Sequence, residues 1–573
     1  MERTITLDRV VLGGAVLALL YLIGAPLLMT VFTAFRGPVD FLPFEPGAQF
    51  TLDNIKAVYT SGIFRNTLID TAWFVGGATV LAFVLSFVLA FLVERTTLPC
   101  RNLIFTLLTL PIMIPPLITG LSWIFLLGKS RGLLNVLLRG LLGQDGTGPF
   151  DIFTWYGMIL AQGLAVVPFM FLLMSGAMRG MDPALEEASL VAGGGWLRTL
   201  TRITVPVLRP TMLSVLLLTA IITLESFDIP LLLGLSAGAR VLATSVYYPL
   251  YPQIGLPRYG EVAALALAFL VITYMLVYGY ARATREQARY ATVTGKGFRP
   301  RQIDLGRWKY VALGGVSLYL VLQVALPAFV LLWSSLLDGY RPPTDWSLLR
   351  DISFKSFARV LNDQRFLPAL RNTVVVAALS ATLVALLSAI MAWMVVRSQV
   401  TGKRVLDLLA STSIAIPSVI AGVSFLMFYL AMPGVSALGL YGTLWVLVLA
   451  LSYRTTVGYR ITSAGVAQIK RELEEAAAVC GSPWLTTFRR IVLPLLWPIT
   501  LAVWLLIFIV NFRELTIALL LGGVDNMMLG PLLWRYVSSS EMGQASALAV
   551  LMAAMLLAVG GLARRFVGTR LGT

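Results

Sequence analysis

Twelve stretches of this chain are each apolar over about the 20 residues that a helix needs to cross a hydrocarbon core. They fall near 10–35, 67–93, 102–127, 152–178, 211–234 and 261–281, then near 309–335, 373–396, 405–431, 441–463, 499–522 and 545–563. No strand pattern competes with them. The expected fold class is therefore all-α: a polytopic membrane protein of about twelve transmembrane helices in two groups of six. Composition agrees, with 58% hydrophobic and only 13% charged residues in 573. A water-soluble chain of that length needs far more charged surface. The first run is too long for the apolar core of a cleavable leader and reads as a retained span.

A net charge of +16 could serve nucleic acid, but in so apolar a chain it marks basic cytoplasmic loops. Between the two groups of six stand Arg282, Arg285, Arg289, Lys296, Arg299, Arg301, Arg307 and Lys309, opposed only by Glu286 and Asp304. This divides the chain into a first half at 1–284, a cytoplasmic basic linker at 285–308 and a second half at 309–573. Arg564, Arg565 and Arg570 place the C-terminus on the same side, and an even number of crossings puts the N-terminus there too. The external segment 337–372 also carries cations, partly offset by Asp338, Asp345, Asp351 and Asp363. With no histidine and only Cys100 and Cys480, the chain has no disulfide framework and no His/Cys metal site. Gly128-Lys129-Ser130 mimics the end of a phosphate-binding loop, but the position that needs its first glycine is Trp123.

The two halves repeat one another. Glu186-Glu187-Ala188 recurs as Glu474-Glu475-Ala476 at an offset of 288, as do Gly193 and Gly481, Trp196 and Trp484, Arg202 and Arg490, and Pro206 and Pro494. Pro115 and Gly120 match Pro417 and Gly422 at an offset of 302. Both copies follow an even number of spans, so the repeats run parallel about an axis along the membrane normal.

Within the repeated loop, Asp182 suits an N-cap with Pro183 at the first helical position. Glu186 and Glu187 follow where the helix dipole favours anions, and Gly193-Gly194-Gly195 ends the short helix. A second helix should begin near Trp196 and stop before Pro206. One such loop could be an ordinary interfacial amphipathic element; two alike, at matched sites, are not so explained. Glu187-Ala188-Ser189 with Gly193 and Ile203-x-Val205-Pro206 resembles the EAA loop of ABC importer permeases. Glu475-Ala476-Ala477 with Gly481 and Ile491-x-Leu493-Pro494 fits more closely. The resemblance covers the whole chain and implies a type I importer fold in a bacterial inner membrane. It also implies two copies of a cytoplasmic ATPase docked on loops 182–210 and 468–498, and a periplasmic binding protein. The docking residues would be Glu186, Glu187, Ala188, Gly193, Glu474, Glu475, Ala476 and Gly481. No catalytic residue and no cofactor belongs to this chain on that reading, ATP and Mg being bound by the ATPase.

Ionisable residues at membrane depth are the other candidates. Glu225 and Asp228 stand three apart, which on a helix gives them one face. In the second half Arg513 and Glu514 match Glu225 and Ser226. Counted from residue 211, Asp228 should lie near the external mouth, with Pro230 breaking the helix close by. Two readings stay open: Glu225, Asp228 and Glu514 as an acidic ring giving transient contacts to a cationic substrate, or an Arg513–carboxylate pair holding an external gate shut. Pro115, Pro116 and Pro417 should kink the third span of each half. The fused layout resembles ferric-iron importer permeases, and the thiamine permeases share it; polyamine, phosphonate and sulfate permeases are more distant. Outside that class, a secondary transporter driven by an ion gradient can also show six-plus-six repeats, but it has no use for two matched docking loops.

Overall fold

The structure, a computed structural model, describes residues 2–568 apart from 144–145, 182–183, 253, 291–301, 344–345 and 399. Asp182, Pro183, Lys296, Arg299, Arg301, Asp345 and Arg570 thus lie outside the described residues. Among those described, helices make up nearly all the secondary structure. The strands are two-residue pieces, Arg36–Gly37 and Gln49–Phe50, paired antiparallel.

All twelve apolar stretches are helical, but five are broken, the fifth and eleventh near their ends and the third, ninth and tenth within. Nine described helices are long and apolar enough to cross a membrane, from Arg9–Ala34 to Met542–Leu562. The third and ninth stretches are helix pairs, Arg101–Met113 with Pro116–Leu127 and Lys403–Ala415 with Ser418–Ala431, bent by 104° and 110°. The prolines do more than kink. Ile114 and Ile416 are driven into extended conformations by the prolines that follow them, and Pro115 and Pro417 stay extended before each second helix begins. The tenth stretch also breaks, Leu444–Leu451 giving way to Thr455–Gln468 across Ser452, Tyr453 and Arg454.

The second loop helix does not stop before Pro206. Trp196–Leu224 is one 29-residue span, about 43 Å long at helical rise, so the fifth span begins inside the loop rather than at 211. In the second half Trp484–Thr487 runs on through Phe488–Val492 into Leu493–Phe512. The chain tolerates the proline because one π turn, Leu200–Thr204, precedes it, with Val205 N bonded to Leu200 O. A proline lacks an N–H and its ring clashes with the carbonyl four residues back, so one widened turn relieves the helix. The same device recurs at Leu20–Gly24 before Pro26, Val321–Ala325 before Pro327 and Phe488–Val492 before Pro494.

Each half lends its first span to the other. Thr30 Oγ1 donates to Ser424 Oγ at 2.7 Å and the Tyr21 and Tyr429 hydroxyls lie 2.6 Å apart. In the reverse sense, Tyr340 donates to the Phe125 carbonyl at 2.6 Å and Gln323 Nε2 to the Leu164 carbonyl at 3.2 Å. The repeat is also visible in packing: a Cβ on Gly120 would meet Leu232 at 2.8 Å, and one on Gly422 would meet Leu520 at 2.6 Å. These are matched glycines against matched leucines.

Three of the six cations of segment 337–372 are paired locally, Arg341 with Asp351 at 2.9 Å, Arg359 with Asp338, and Arg365 with Asp363 at 3.7 Å. The Arg359 guanidinium holds the exposed Asp338 carboxyl below the usual carboxylate range. At the other end of the molecule the linker's close is fixed to the first half, Ile303 N donating to the Arg95 carbonyl at 2.8 Å and Thr97 N to the Ile303 carbonyl at 3.1 Å.

Candidate functional site

The two repeated loops adopt the same shape. Helices Ala184–Val191 and Glu472–Val479 end at Gly193 and Gly481, whose φ angles are +78° and +72°. Gly194 N donates to Ser189 O at 2.8 Å and Ser482 N to Ala477 O at 2.9 Å, the six-to-one bond of a Schellman turn. Nothing lies within 4 Å of a Cβ at either glycine, so the left-handed backbone, not crowding, selects glycine.

The glutamate pairs divide in two. Glu187 and Glu475 are exposed, as are Ala188 and Ala476. Glu186 and Glu474 turn inward. Glu186 Oε2 lies 3.1 Å from Arg95 Nη1 while its Oε1 accepts from Thr204 Oγ1 at 2.7 Å. Glu474 Oε1 lies 3.2 Å from Arg397 Nε, and its Oε2 accepts from Trp393 Nε1 at 3.3 Å. Around the outward glutamates lie apolar side chains in water-facing positions: Leu185 and Val191 are 50% and 86% exposed, and their matches Leu473 and Val479 are 46% and 89% exposed. Periodicity gives no hint of these, because a short helix with apolar residues exposed has the sequence of one with them buried.

The second candidate site lies where the fifth and eleventh spans end. Both helices stop short of the expected 234 and 522, at Leu224 and Phe512, and reopen at 228 and 516. Glu225 and Asp228 therefore do not share a helical face. Separate short helical segments follow, Pro230–Gly234 in the first half and Thr516–Leu521 in the second. Asp228 faces Arg513 and the backbone amide of Leu117, beside the break in the third span rather than at the end of a continuous helix. Arg513 crosses between halves, donating from Nη1 to the carbonyls of Ile112 at 2.6 Å and Ile114 at 3.4 Å. A cation thus caps the carbonyl end of the first broken helix, and a carboxylate faces the amide end of the second, as helix dipoles favour.

Glu225, matched to Arg513, faces the opposite half in the same way, toward Arg454. Arg454 is the residue that the span count passes over. It sits at the break in the tenth stretch and donates to Glu514 Oε2 at 2.6 Å, Ser418 Oγ at 3.0 Å and Asn511 Oδ1 at 3.0 Å. Glu514 also accepts from Ile517 N at 2.9 Å and is 7% exposed. In the first half a neutral pair takes this place, Ser226 donating to Gln162 at 2.7 Å. The signal that could have found Arg454 was available: an arginine inside an apolar run is a functional candidate by the same rule that flagged Glu225.

Three carboxyl groups and two guanidiniums therefore meet at the junction of the halves. The acids do not stand as a bare ring, since Arg454 and Arg513 are interleaved with them. Among the described residues no group of three His, Cys, Asp or Glu side chains is arranged to hold a metal ion.

A helical membrane chain of two interlocked repeats, each with a glycine-turned loop continuous with a span that ends in buried charge, defines a class: the membrane subunit of a substrate transporter. The family model for the binding-protein-dependent transport system inner membrane component matches it twice, at residues 82–285 and 368–571. The chain belongs to that family and is a multi-pass permease subunit with both copies fused in one polypeptide. Among its relatives, the ferric transport system permease protein FbpB of Actinobacillus pleuropneumoniae is 26% identical over 527 residues, covering 90% of this chain and 73% of that one. The Fe(3+)-transport system permease protein FbpB 2 of Haemophilus influenzae is 23% identical, covering 81% and 82%. A solved bacterial alginate ABC transporter, in complex with its alginate pentasaccharide-bound periplasmic protein, aligns at 17% identity and a TM-score of 0.35, covering 45% of this chain and 92% of that one.

Proposed function

We propose that this permease imports ferric iron, received from a periplasmic binding protein and driven by two copies of a cytoplasmic ATPase docked on loops 182–210 and 468–498. On this reading the chain hydrolyses nothing, ATP and Mg belong to the ATPase, and both termini are cytoplasmic. The substrate assignment rests on one observation above the rest: ferric permeases align with this chain over most of its length, both halves included. The chemistry is consistent, since a trivalent hard cation is suited to carboxylate and carbonyl oxygens rather than to imidazole or thiolate.

The mechanism follows from continuity of helix. Closure of two ATPase subunits on ATP would draw the two loops together. Each loop is the start of a helix that runs without interruption to Glu225 or Arg513. A displacement at Trp196 or Trp484, just past the glycine turn, therefore arrives at the charge cluster as movement of a rigid rod. There it would break the contacts that cross between halves, Arg513 to Ile112 and Ile114, and carry Glu225 away from the field of Arg454. Parting them opens the passage and leaves carboxylates in excess along a cation's route. Leu185, Val191, Leu473 and Val479 supply apolar surface for the docked partner, with Glu187 and Glu475 beside them.

The test is the ligand held by the binding protein that copurifies with this chain, followed by uptake in vesicles carrying the assembled transporter. Retention and ATP-dependent uptake of ferric iron are expected. Retention of thiamine in its place would refute the substrate assignment while leaving the transport class intact.

A further inference from the structure

Glu186 and Glu474 turn toward the spans of their own halves, and the arginines that hold them were not among the sequence candidates. Arg95 is the last residue of helix Gly62–Arg95 and its side chain is 1% exposed. One guanidinium nitrogen meets Glu186 at 3.1 Å, and another donates to the Met178 carbonyl, at the end of the fourth span, at 2.8 Å. Arg397 follows helix Phe366–Val396 as its C-cap. It meets Glu474 at 3.2 Å and donates to the carbonyls of Val466, at 3.0 Å, and Ile469, at the end of the tenth stretch. Each arginine thus ties together the second span of its half, the closing carbonyls of the fourth, and the docking loop.

The arrangement occurs twice and obeys the repeat. Arg95 and Arg397 are 302 apart, the offset of the matched prolines, while Glu186 and Glu474 are 288 apart, the offset of the loops. Two elements with different offsets meet at the same contact in both halves. Surface ion pairs contribute little and shift freely, but these are shielded, and a buried guanidinium must keep its partners. The planar fork of arginine reaches a carboxylate and a carbonyl at once, which an ammonium group does not do as well.

We propose that Arg95 and Arg397 are positioning residues that clamp each docking loop to the second and fourth spans of its own half, so that the ATPase stroke moves a block of spans rather than the fifth span alone. The proposal rests on the reading of the loops as ATPase docking sites. It adds that force leaves the loop by two routes: along the continuous helix, and through the arginine clamp. Without the clamp the loop would still bind its motor, but it would tilt against its own half and waste part of the stroke.

The experiment uses the complete transporter, with ATPase and binding protein, in proteoliposomes, and compares wild type with the Arg95→Met, Arg397→Met double variant. Three quantities are read: ATPase retained on purification, ATP hydrolysed, and ferric iron transported per ATP. The expected result is a retained ATPase that still hydrolyses ATP, with transport per ATP reduced roughly threefold to thirtyfold, the range over which a coupling element acts. Arg95→Lys, Arg397→Lys should recover part of the loss. Should the methionine variant fail to fold, Arg95→Gln, Arg397→Gln keeps a donor for the carbonyls and removes the charge, and the same lowered ratio is expected. Unchanged transport per ATP overturns the clamp. So does loss of the ATPase from a folded variant, which would make the arginines supports of the docking face alone. A wild-type complex that retains no ATPase would instead remove the docking reading itself.

Discussion

Arg454→Met should destabilise the permease by about 3–5 kcal/mol and abolish uptake, because it strands Glu514 as a buried carboxylate without its cation. Glu514 is 7% exposed, and the Arg454 contact at 2.6 Å is its one ion pair among the described residues. The companion variant makes the claim specific. Arg454→Met with Glu514→Leu removes both charges, and replacing a whole buried pair with apolar groups is often close to neutral. Most of the lost stability should therefore return, while ATP-coupled uptake stays absent because Arg454, the cation whose field reaches Glu225 across the halves, has gone. Thermal unfolding in detergent, alongside uptake in vesicles, separates the two effects. A single variant as stable as wild type would mean that the pair is solvated.

Gly193→Val with Gly481→Val should strip the ATPase from the complex and reduce uptake to background. Both glycines hold φ near +75°, and a side chain there costs about 1–2 kcal/mol, more for a β-branched residue. Since no atom lies within 4 Å of either Cβ position, the damage comes from the backbone alone. Asparagine tolerates that conformation, so Gly193→Asn with Gly481→Asn should keep most of the ATPase and most of the uptake. Copurification of the ATPase is the measurement. Equal loss with valine and asparagine would point to a crowded contact instead of a turn.

Hydropathy was enough to read the helical class, the two halves and the number of apolar stretches, because lipid demands long apolar helices whatever the packing. Its boundaries failed where a helix and a hydrophobic run part company. Residues 211–234 are mostly apolar, yet the helix begins at Trp196, since a water-facing helix carries no hydropathy signal. It ends at Leu224, where Ser226 donates instead to Gln162, distant in sequence. Pro206 suggested a stop, and the π turn before it, which depends on backbone register, removed the need for one. The repeat located the loops and their glycines, because matched residues at a fixed offset need no knowledge of contacts. It could not divide Glu186 from Glu187, adjacent residues of one type whose separate fates depend on Arg95, ninety residues away. Arg454 is not marked by the repeat, and hydropathy runs on across the break at Ser452, Tyr453 and Arg454 that gives it its place.

The most direct measurement is uptake into proteoliposomes that hold the permease with its ATPase and binding protein, with ATP supplied or withheld and ion gradients imposed or collapsed. Uptake should require enclosed ATP, survive collapse of every gradient, and vanish when both Gly193 and Gly481 are replaced by valine. Uptake powered by a proton or sodium gradient without ATP, or persisting with both glycines replaced, would contradict it.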